Sequence, residues 1–297
     1  MSLAEQVRER LGGELEVLPG GHSGLTYTVK NKYVVKAVPP GQKPVGRNDV
    51  LRQARVLQAL AGSAVPVPGV IATDETWFAM EFADGEAFEP VLDDHDLSPE
   101  LARTRMLEAA SLLRRLHDAG PVPGEPRATA AGELERWSRT MHAVPAELRP
   151  GAEDLLELLA EDVPDDLPPV LVHGDFRLGN ILFAGTRATA VVDWEIWSTG
   201  DPRTDLGWFL LFADHRNFPA LGTPVPGLPT EAELLDEYGR ALPEMAWFRA
   251  LGRMKMAAIM GHNLRRHREG KHHDPDQERL PPTIAAMIRS AVDILRS

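Results

Sequence analysis

Period-two apolar runs crowd the first eighty residues, and period-3.6 patterning governs most of the remaining chain. That change of rhythm constrains the fold more than any other feature of the sequence. Residues 14–18, 25–29, 33–38, 69–72 and 77–82 are short runs of the β-branched and aromatic residues that suit a pleated surface. A Gly-rich turn at 19–24 joins the first two, and Lys30-Asn31-Lys32 is a connection of hairpin length. Two helices are predicted among these strands, at 2–11 and 49–61. In the second, Val50, Ala54, Leu57 and Ala61 fall on one face.

Ala83-Asp84-Gly85 ends the β-rich part, and the segment up to Ser98 is acidic and irregular. Ser98-Pro99 is a helix start, a capping residue followed by proline at the first helical position. Ala102, Met106, Ala109, Leu113 and Leu116 then line one face of a helix ending near Asp118. Further helices are predicted at 132–142, 146–160, 203–213, 230–241, 244–268 and 278–295, with Thr230 and Glu233 spaced as a capping box. Residues 170–192 return to short apolar strands. This order is an α+β layout, distinct from the strand–helix alternation of a doubly wound sheet.

The chain has 297 residues, no cysteine and a net charge of −12. A length of this order suggests about two domains or lobes. Without cysteine there is no disulfide framework, thiolate nucleophile or Cys-ligated zinc. The acidic balance argues against nucleic-acid binding, which needs a basic face to displace counterions. No apolar run is long enough for a membrane span, and Met1 to Arg10 lacks a signal-peptide core. A cytoplasmic location is therefore expected, with no obligate protein partner evident. The charge is uneven: residues 1–80 hold 9 basic and 7 acidic side chains, and residues 81–297 hold 23 and 37. An acidic second part attracts cationic ligands.

The chemistry concentrates in residues 171–193. His173, Asp175 and Asn180 fall in a loop between apolar strands, and Asp193 ends the last strand before Trp194 and Glu195. A hairpin from Asn180 to Asp193 would return both to one place. Phosphoryl transfer from a nucleotide uses this set: one carboxylate orients the acceptor hydroxyl, while an amide and a second carboxylate offer hard oxygen ligands to Mg²⁺. The Asp-to-Asn step of five matches the kinase catalytic loop, with Gly174 where that loop has Arg.

His173-Gly174-Asp175 with Asn180 and a later Asp-Trp-Glu resembles the aminoglycoside phosphotransferase family, which also includes choline-kinase-like, macrolide, hygromycin and hydroxyacyl-CoA-type small-molecule kinases. The resemblance covers nearly the whole chain. It implies a two-lobed protein-kinase-like fold, with a nucleotide-binding N-lobe at 1–82, a hinge near 80–84 and a catalytic, acceptor-binding C-lobe at 83–297. ATP would occupy the cleft, and lobe closure would exclude water.

By this resemblance Asp175 is the catalytic base, and Asn180 and Asp193 are Mg²⁺ ligands. Arg177 either stabilises charge on the transferred phosphoryl group or faces solvent. In the N-lobe, Ser23 of the Gly-rich turn is a candidate phosphate contact. Lys36 lies where the family's phosphate-binding lysine lies. The helix position that usually pairs with that lysine through Glu is Gln53 here, and a Lys36–Gln53 contact is predicted. Met80-Glu81-Phe82 looks like the hinge, its backbone toward the adenine edge and Phe82 and Val34 near the ring. Glu195 fits three roles: Mg²⁺-proximal, acceptor contact or structural hydrogen bond. His173 reads as an architectural hydrogen-bonder, and Asp205 as a residue that caps or ties down the catalytic loop. His117, at the end of its helix, reads as a satisfied core histidine.

The expected reaction moves the γ-phosphate of ATP to a hydroxyl of a small molecule. An aminoglycoside-like acceptor fits the acidic second part, and a hydroxyacyl-CoA fits the basic run Arg265, Arg266, Arg268 and Lys271. A macrolide and a choline-like alcohol are further alternatives. A nucleotide-binding scaffold without catalysis is the rival class, supported by Gln53. His262, His267, His272 and His273 cluster with Asp274 and Asp276 without a recognised metal-ligand spacing.

Overall fold

The structure is a computed structural model that describes residues 2–18, 25–93 and 97–297. Ser23, the rest of the 19–24 turn and residues 94–96 lie outside the described residues. The chain forms two compact units: Met1–Ala87 with Asn180–Trp197, and Phe88–Gly179 with Ser198–Ser297.

The first unit is built on an antiparallel sheet. Helix α1 (Leu3–Leu11) begins with a capping box between Ser2 and Glu5 and ends at Gly12 in the left-handed region. The strands are β1 (Glu16–Val17), β2 (Leu25–Val29), β3 (Tyr33–Ala37), β4 (Val70–Thr73) and β5 (Trp77–Glu81), in the order β1-β2-β3-β5-β4. β1 is shorter than the 14–18 run, and only Glu16 and Val17 find partners, opposite Thr28 and Tyr27. Lys30 and Asn31 both have positive φ, 55° and 49°. This is the turn whose twist matches that of the flanking strands.

Alternation along β3 divides its side chains between two faces. Val35 and Ala37 join Val29, Trp77, Ala79 and Val7 of α1 in one apolar cluster. Val34 and Lys36 lie on the opposite face, paired with Met80 and Phe78 of β5. Helix α2 (Val50–Leu60) starts where the Asp49 side chain accepts from the Arg52 N–H at 2.9 Å. It buries Val50, Gln53, Ala54, Val56, Leu57 and Leu60, so a polar Gln53 shares its inward face with aliphatic residues.

The hairpin of β7 (Ile181–Ala184) and β8 (Arg187–Val191) belongs to this unit, whereas sequence order alone places everything past residue 83 in one lobe. Backbone hydrogen bonds are the reason. Phe183 and Glu86 exchange N–H···O bonds at 2.9 and 3.1 Å, and the Val191 N–H donates to the Pro66 carbonyl at 2.8 Å. Gly85 permits this approach. Its φ is 142°, and a Cβ there would sit 2.9 Å from Thr189 Oγ1 and 3.0 Å from the Phe183 backbone.

The second unit is helical around a small strand pair. Its helices are α3 (Pro99–Asp118), α4 (Ala130–His142), α5 (Ala152–Glu161), α6 (Pro202–Phe209), α7 (Glu231–Tyr238), α8 (Met245–Arg268) and α9 (Pro281–Arg296). β6 (Val170–Val172) pairs antiparallel with β9 (Ser198–Gly200). β9 carries no apolar run, so patterning misses it. The helix expected over 146–160 is a short 3₁₀ turn followed by α5. Pro150 and a left-handed Gly151 at φ 81° break it. The 203–213 helix tightens to 3₁₀ after Phe209. α7 stops at Gly239, φ 74°. α9 starts at Pro281 rather than 278, because a 3₁₀ turn over Pro275–Arg279 precedes it. The Thr230–Glu233 capping box and the Ser98 cap are both present.

The second unit's core gathers Trp208, Phe212, Trp247, Met254 and Met260 with Leu155 and Ile288. α8 is buried on most of its circumference, so it reads as a central helix rather than a surface one. Met245 packs against this core, and Met256 is within it.

Candidate functional site

In the first unit Lys36 projects from the middle of β3 with only 13% of its side chain exposed. Its ammonium donates to Gln53 Oε1 at 3.1 Å and to Asp193 Oδ1 at 3.3 Å, and Glu195 Oε1 lies at 3.9 Å. The expected Lys36–Gln53 contact is therefore present. Two carboxylates compensate the ammonium that a neutral Gln53 leaves uncompensated. A small pocket opens beside this group, lined by Leu57, Pro68, Phe78, Met80, Val192 and Trp194.

The hairpin sets Asn180 and Asp193 at one end. The Val192 N–H donates to the Asn180 carbonyl at 2.9 Å, closing the register that begins at Ile181 opposite Val191. Asp193 has φ 64°, a left-handed conformation that a non-glycine residue seldom adopts and that concentrates at functional sites. The turn is held from both sides. The buried Trp194 indole donates to the Val191 carbonyl at 2.9 Å. Arg52 of α2 lies 4.0 Å over the Trp197 ring and donates to the Trp197 carbonyl at 2.7 Å. The Trp197 indole returns a bond to the Arg52 carbonyl at 3.1 Å. Sequence reasoning misses this Arg52–Trp197 lock, because the partners are 145 residues apart.

At the expected hinge, the N–H groups of Glu81 and Phe82 are already engaged, with the Gly69 and Lys32 carbonyls at 2.8 and 2.9 Å. Those two donors are not available to a base edge. Met80 lines the pocket with its side chain, and Phe82 is half-buried.

In the second unit Asp175 Oδ1 accepts the Trp208 indole N–H at 2.9 Å and lies 3.6 Å from Arg177 Nε. The Arg177 guanidinium is also 3.7 Å from the buried Glu89 carboxyl group and 5.9 Å from the Phe212 ring. Arg177 is thus held between the Asp175 carboxylate and the Glu89 carboxyl group rather than spread in solvent. Burial pushes the Glu89 carboxyl up to about 8, against the opposing pull of Arg177 and the Gly179 N–H.

His173 is fully buried, and its Nδ1 accepts the Asp175 N–H at 3.1 Å. That bond assigns the neutral ring's proton to Nε2. Asp205, also fully buried, accepts from the backbone N–H groups of His173 and Gly174 at 2.6 and 2.8 Å. His117 Nε2 lies 3.5 Å from the same carboxylate, and its Nδ1 is 2.8 Å from the Tyr238 hydroxyl. Burial alone would raise the Asp205 carboxyl, but the His117 side chain and the backbone N–H of His173 hold it below the usual range. Gly174 has φ 84°, which explains glycine at a position where a side chain would be strained.

Asp201 is structural. Its oxygens take the Arg203 Nε and Nη2 at 3.0 and 2.8 Å and the Leu167 N–H at 2.9 Å. The basic run near the C-terminus is paired with acids, Arg268 with Glu278 at 2.6 Å and Lys271 with Glu269 at 2.7 Å. Asp193 and Asn180 carry a carboxylate and an amide, oxygen donors of the kind a hard divalent cation takes. Among the described residues no three His, Cys, Asp or Glu side chains converge as a metal cage.

Known proteins resemble this chain in sequence or in fold. Acyl-CoA dehydrogenase family member 11 of Homo sapiens is 31% identical over 256 residues, 76% of this chain and 32% of that protein. The chain thus spans about a third of the length of that curated relative. A Ralstonia eutropha protein provisionally assigned as an aminoglycoside phosphotransferase superposes with a TM-score of 0.78 at 23% identity, covering 99% of this chain and 97% of its own. The ADP-bound aminoglycoside phosphotransferase APH(2″)-Ib superposes with a TM-score of 0.59 at 18% identity, covering 98% and 97%. These two show the shared kinase-like fold. The model of the phosphotransferase enzyme family matches residues 14–252, and the chain belongs to that family.

Proposed function

We propose that this chain transfers the γ-phosphate of ATP to a hydroxyl group of a small molecule. The observation that carries the reading is the Lys36–Asp193 pair on the Asn180 hairpin, an ammonium for phosphate oxygens beside a carboxylate for a hard cation. Mg²⁺, held by Asp193 and Asn180, would neutralise charge on the phosphates. Lys36 would bind phosphate oxygens, exchanging part of its contact with Asp193 and Glu195 for them. Asp175 would accept the proton of the attacking hydroxyl. The acceptor oxygen bonds to the γ-phosphorus, the bond to the bridging oxygen breaks, and ADP leaves. Arg177 would offset charge on the transferred group.

Two acceptor readings have their own support. The acidic balance of residues 81–297 and the fold shared with the Ralstonia eutropha protein favour a cationic amino sugar. The name of the human relative, acyl-CoA dehydrogenase family member 11, favours a hydroxyacyl thioester. Arg268 and Lys271, already paired with acids, lend no support to a CoA phosphate contact at the C-terminal basic run.

An ATP-consumption screen over amino sugars, macrolides, choline-like alcohols and hydroxyacyl-CoAs tests the proposal, with Asp175→Asn as control. ADP formation that depends on one acceptor class, and is lost in the variant, supports it. No ADP above background with any of the four classes would favour the nucleotide-binding scaffold.

A further inference from the structure

Lys255 sits in the middle of α8 with 4% of its surface exposed, among apolar side chains. A methionine or leucine would satisfy the packing there, and burying an ammonium is costly. No carboxylate of the described residues pairs with it. Instead its Nζ donates to the Gly174 carbonyl and stands 3.9 Å over the Trp208 ring and 5.3 Å from the Trp137 ring. Burial pulls the ammonium below the ordinary lysine value, and the charge of Asp175 is the largest influence opposing that shift.

Two of these three partners, the Gly174 carbonyl and the Trp208 ring, lead to one side chain. Gly174 directly precedes Asp175, and the Gly174 N–H is already fixed on Asp205 at 2.8 Å. Lys255 holds the other end of that residue's backbone. The Trp208 indole donates to Asp175 Oδ1 at 2.9 Å. A cation over the face of an indole draws electron density from the ring, which fixes its plane and strengthens its N–H as a donor.

We propose that Lys255 is a positioning residue for Asp175, acting through the Gly174 carbonyl and the Trp208 indole. The proposal rests on the reading of Asp175 as the base. Lys255 touches no reacting atom; it sets the direction of the carboxylate. A carboxylate whose Oδ1 is held by an oriented indole presents itself to the incoming hydroxyl in one geometry, and small misplacements of such a group slow turnover steeply.

The test uses Mg-ATP with water as the acceptor, read as phosphate release, on the full chain. Lys255→Met should lower kcat by about tenfold, with KM for ATP within about twofold and a thermal midpoint no lower than wild type. Lys255→Arg, which keeps the cation, should retain most of kcat. Trp208→Phe should also lower kcat, and Lys255→Met with Trp208→Phe should be no slower than the slower single variant. A second readout needs no turnover: the Trp208 indole N–H proton resonance, assigned through Trp208→Phe, should move upfield in Lys255→Met. An unmoved resonance, full kcat in Lys255→Met, or kcat and thermal midpoint falling together would overturn the proposal. If Lys255→Met does not fold, Lys255→Gln must show the same loss, and full kcat there overturns it equally. Asp175→Asn is run beside them. Turnover retained in that variant sinks the base assignment itself. Loss there with full kcat in Lys255→Met sinks only the role of Lys255.

Discussion

Lys36 is surrounded by one neutral oxygen and two carboxylates, at 3.1, 3.3 and 3.9 Å. Gln53→Glu would add a third anion at the shortest of these distances. The added charge would compete with phosphate for the ammonium and repel it directly. An ADP titration by calorimetry should show weaker binding, by several-fold, or about 1 kcal/mol. Tighter binding would mean that Lys36 lacks a partner charge rather than being saturated with it. Glu89 carries a different prediction. Its carboxyl is raised from 4.5 to about 8, chiefly by burial, so the folded state holds that proton more tightly than the unfolded chain. Stability then falls as pH rises from about 4.5 through about 8, and Gln carries no such penalty. The advantage of Glu89→Gln over wild type should be small at pH 5 and grow to a few kcal/mol at the upper end. Denaturant midpoints that run parallel for the two proteins between pH 5 and 8.5 would contradict this. Asp175, Asn180 and Asp193 stand out in the sequence because their spacing repeats a chemical pattern, and Lys36 because it lies in an apolar strand after a Gly-rich turn. Glu89, Trp208 and Lys255 are not, since each reads in sequence as an ordinary helix, strand or loop residue. Only tertiary contact gives them meaning.

The elements that position these residues are legible where local chemistry decides them. Ser98-Pro99, the Thr230–Glu233 box and the Asn31 turn all specify their own geometry. The 146–160 region departs from its pattern because the apolar period runs through Pro150-Gly151, where the backbone overrules it. β9 escapes sequence reading because its three residues form a strand only by pairing with β6. At this scale Gly85 is the sharpest test. A Cβ there would press on Thr189 Oγ1 and the Phe183 backbone at the bridge that ties the β7–β8 hairpin to residues 84–86. Gly85→Ala should destabilise the first unit by about 1–3 kcal/mol. Faster amide exchange at Phe183 and Glu86 would show it, and unchanged protection there would show that the bridge tolerates a side chain.

For the whole molecule, chain order predicts a contiguous division at the end of β5. The structure instead returns Asn180–Trp197 to the first unit. The sequence carries no sign of this, because the tie is made by backbone hydrogen bonds to Glu86 and Pro66 rather than by patterned side chains. The net charge of −12 is legible throughout, but a surface balance speaks to partners and not to folding. No helix among the described residues is long and apolar enough to cross a membrane. Phosphoryl transfer with Asp175 as proton acceptor is the reaction on which the functional reading depends. The most direct measurement is ADP formation from Mg-ATP with the acceptor selected by the screen, for wild type and Asp175→Asn, alongside ADP affinity. The expected result is a loss of about 10²-fold or more in kcat with ADP affinity unchanged. Full turnover in Asp175→Asn would contradict it.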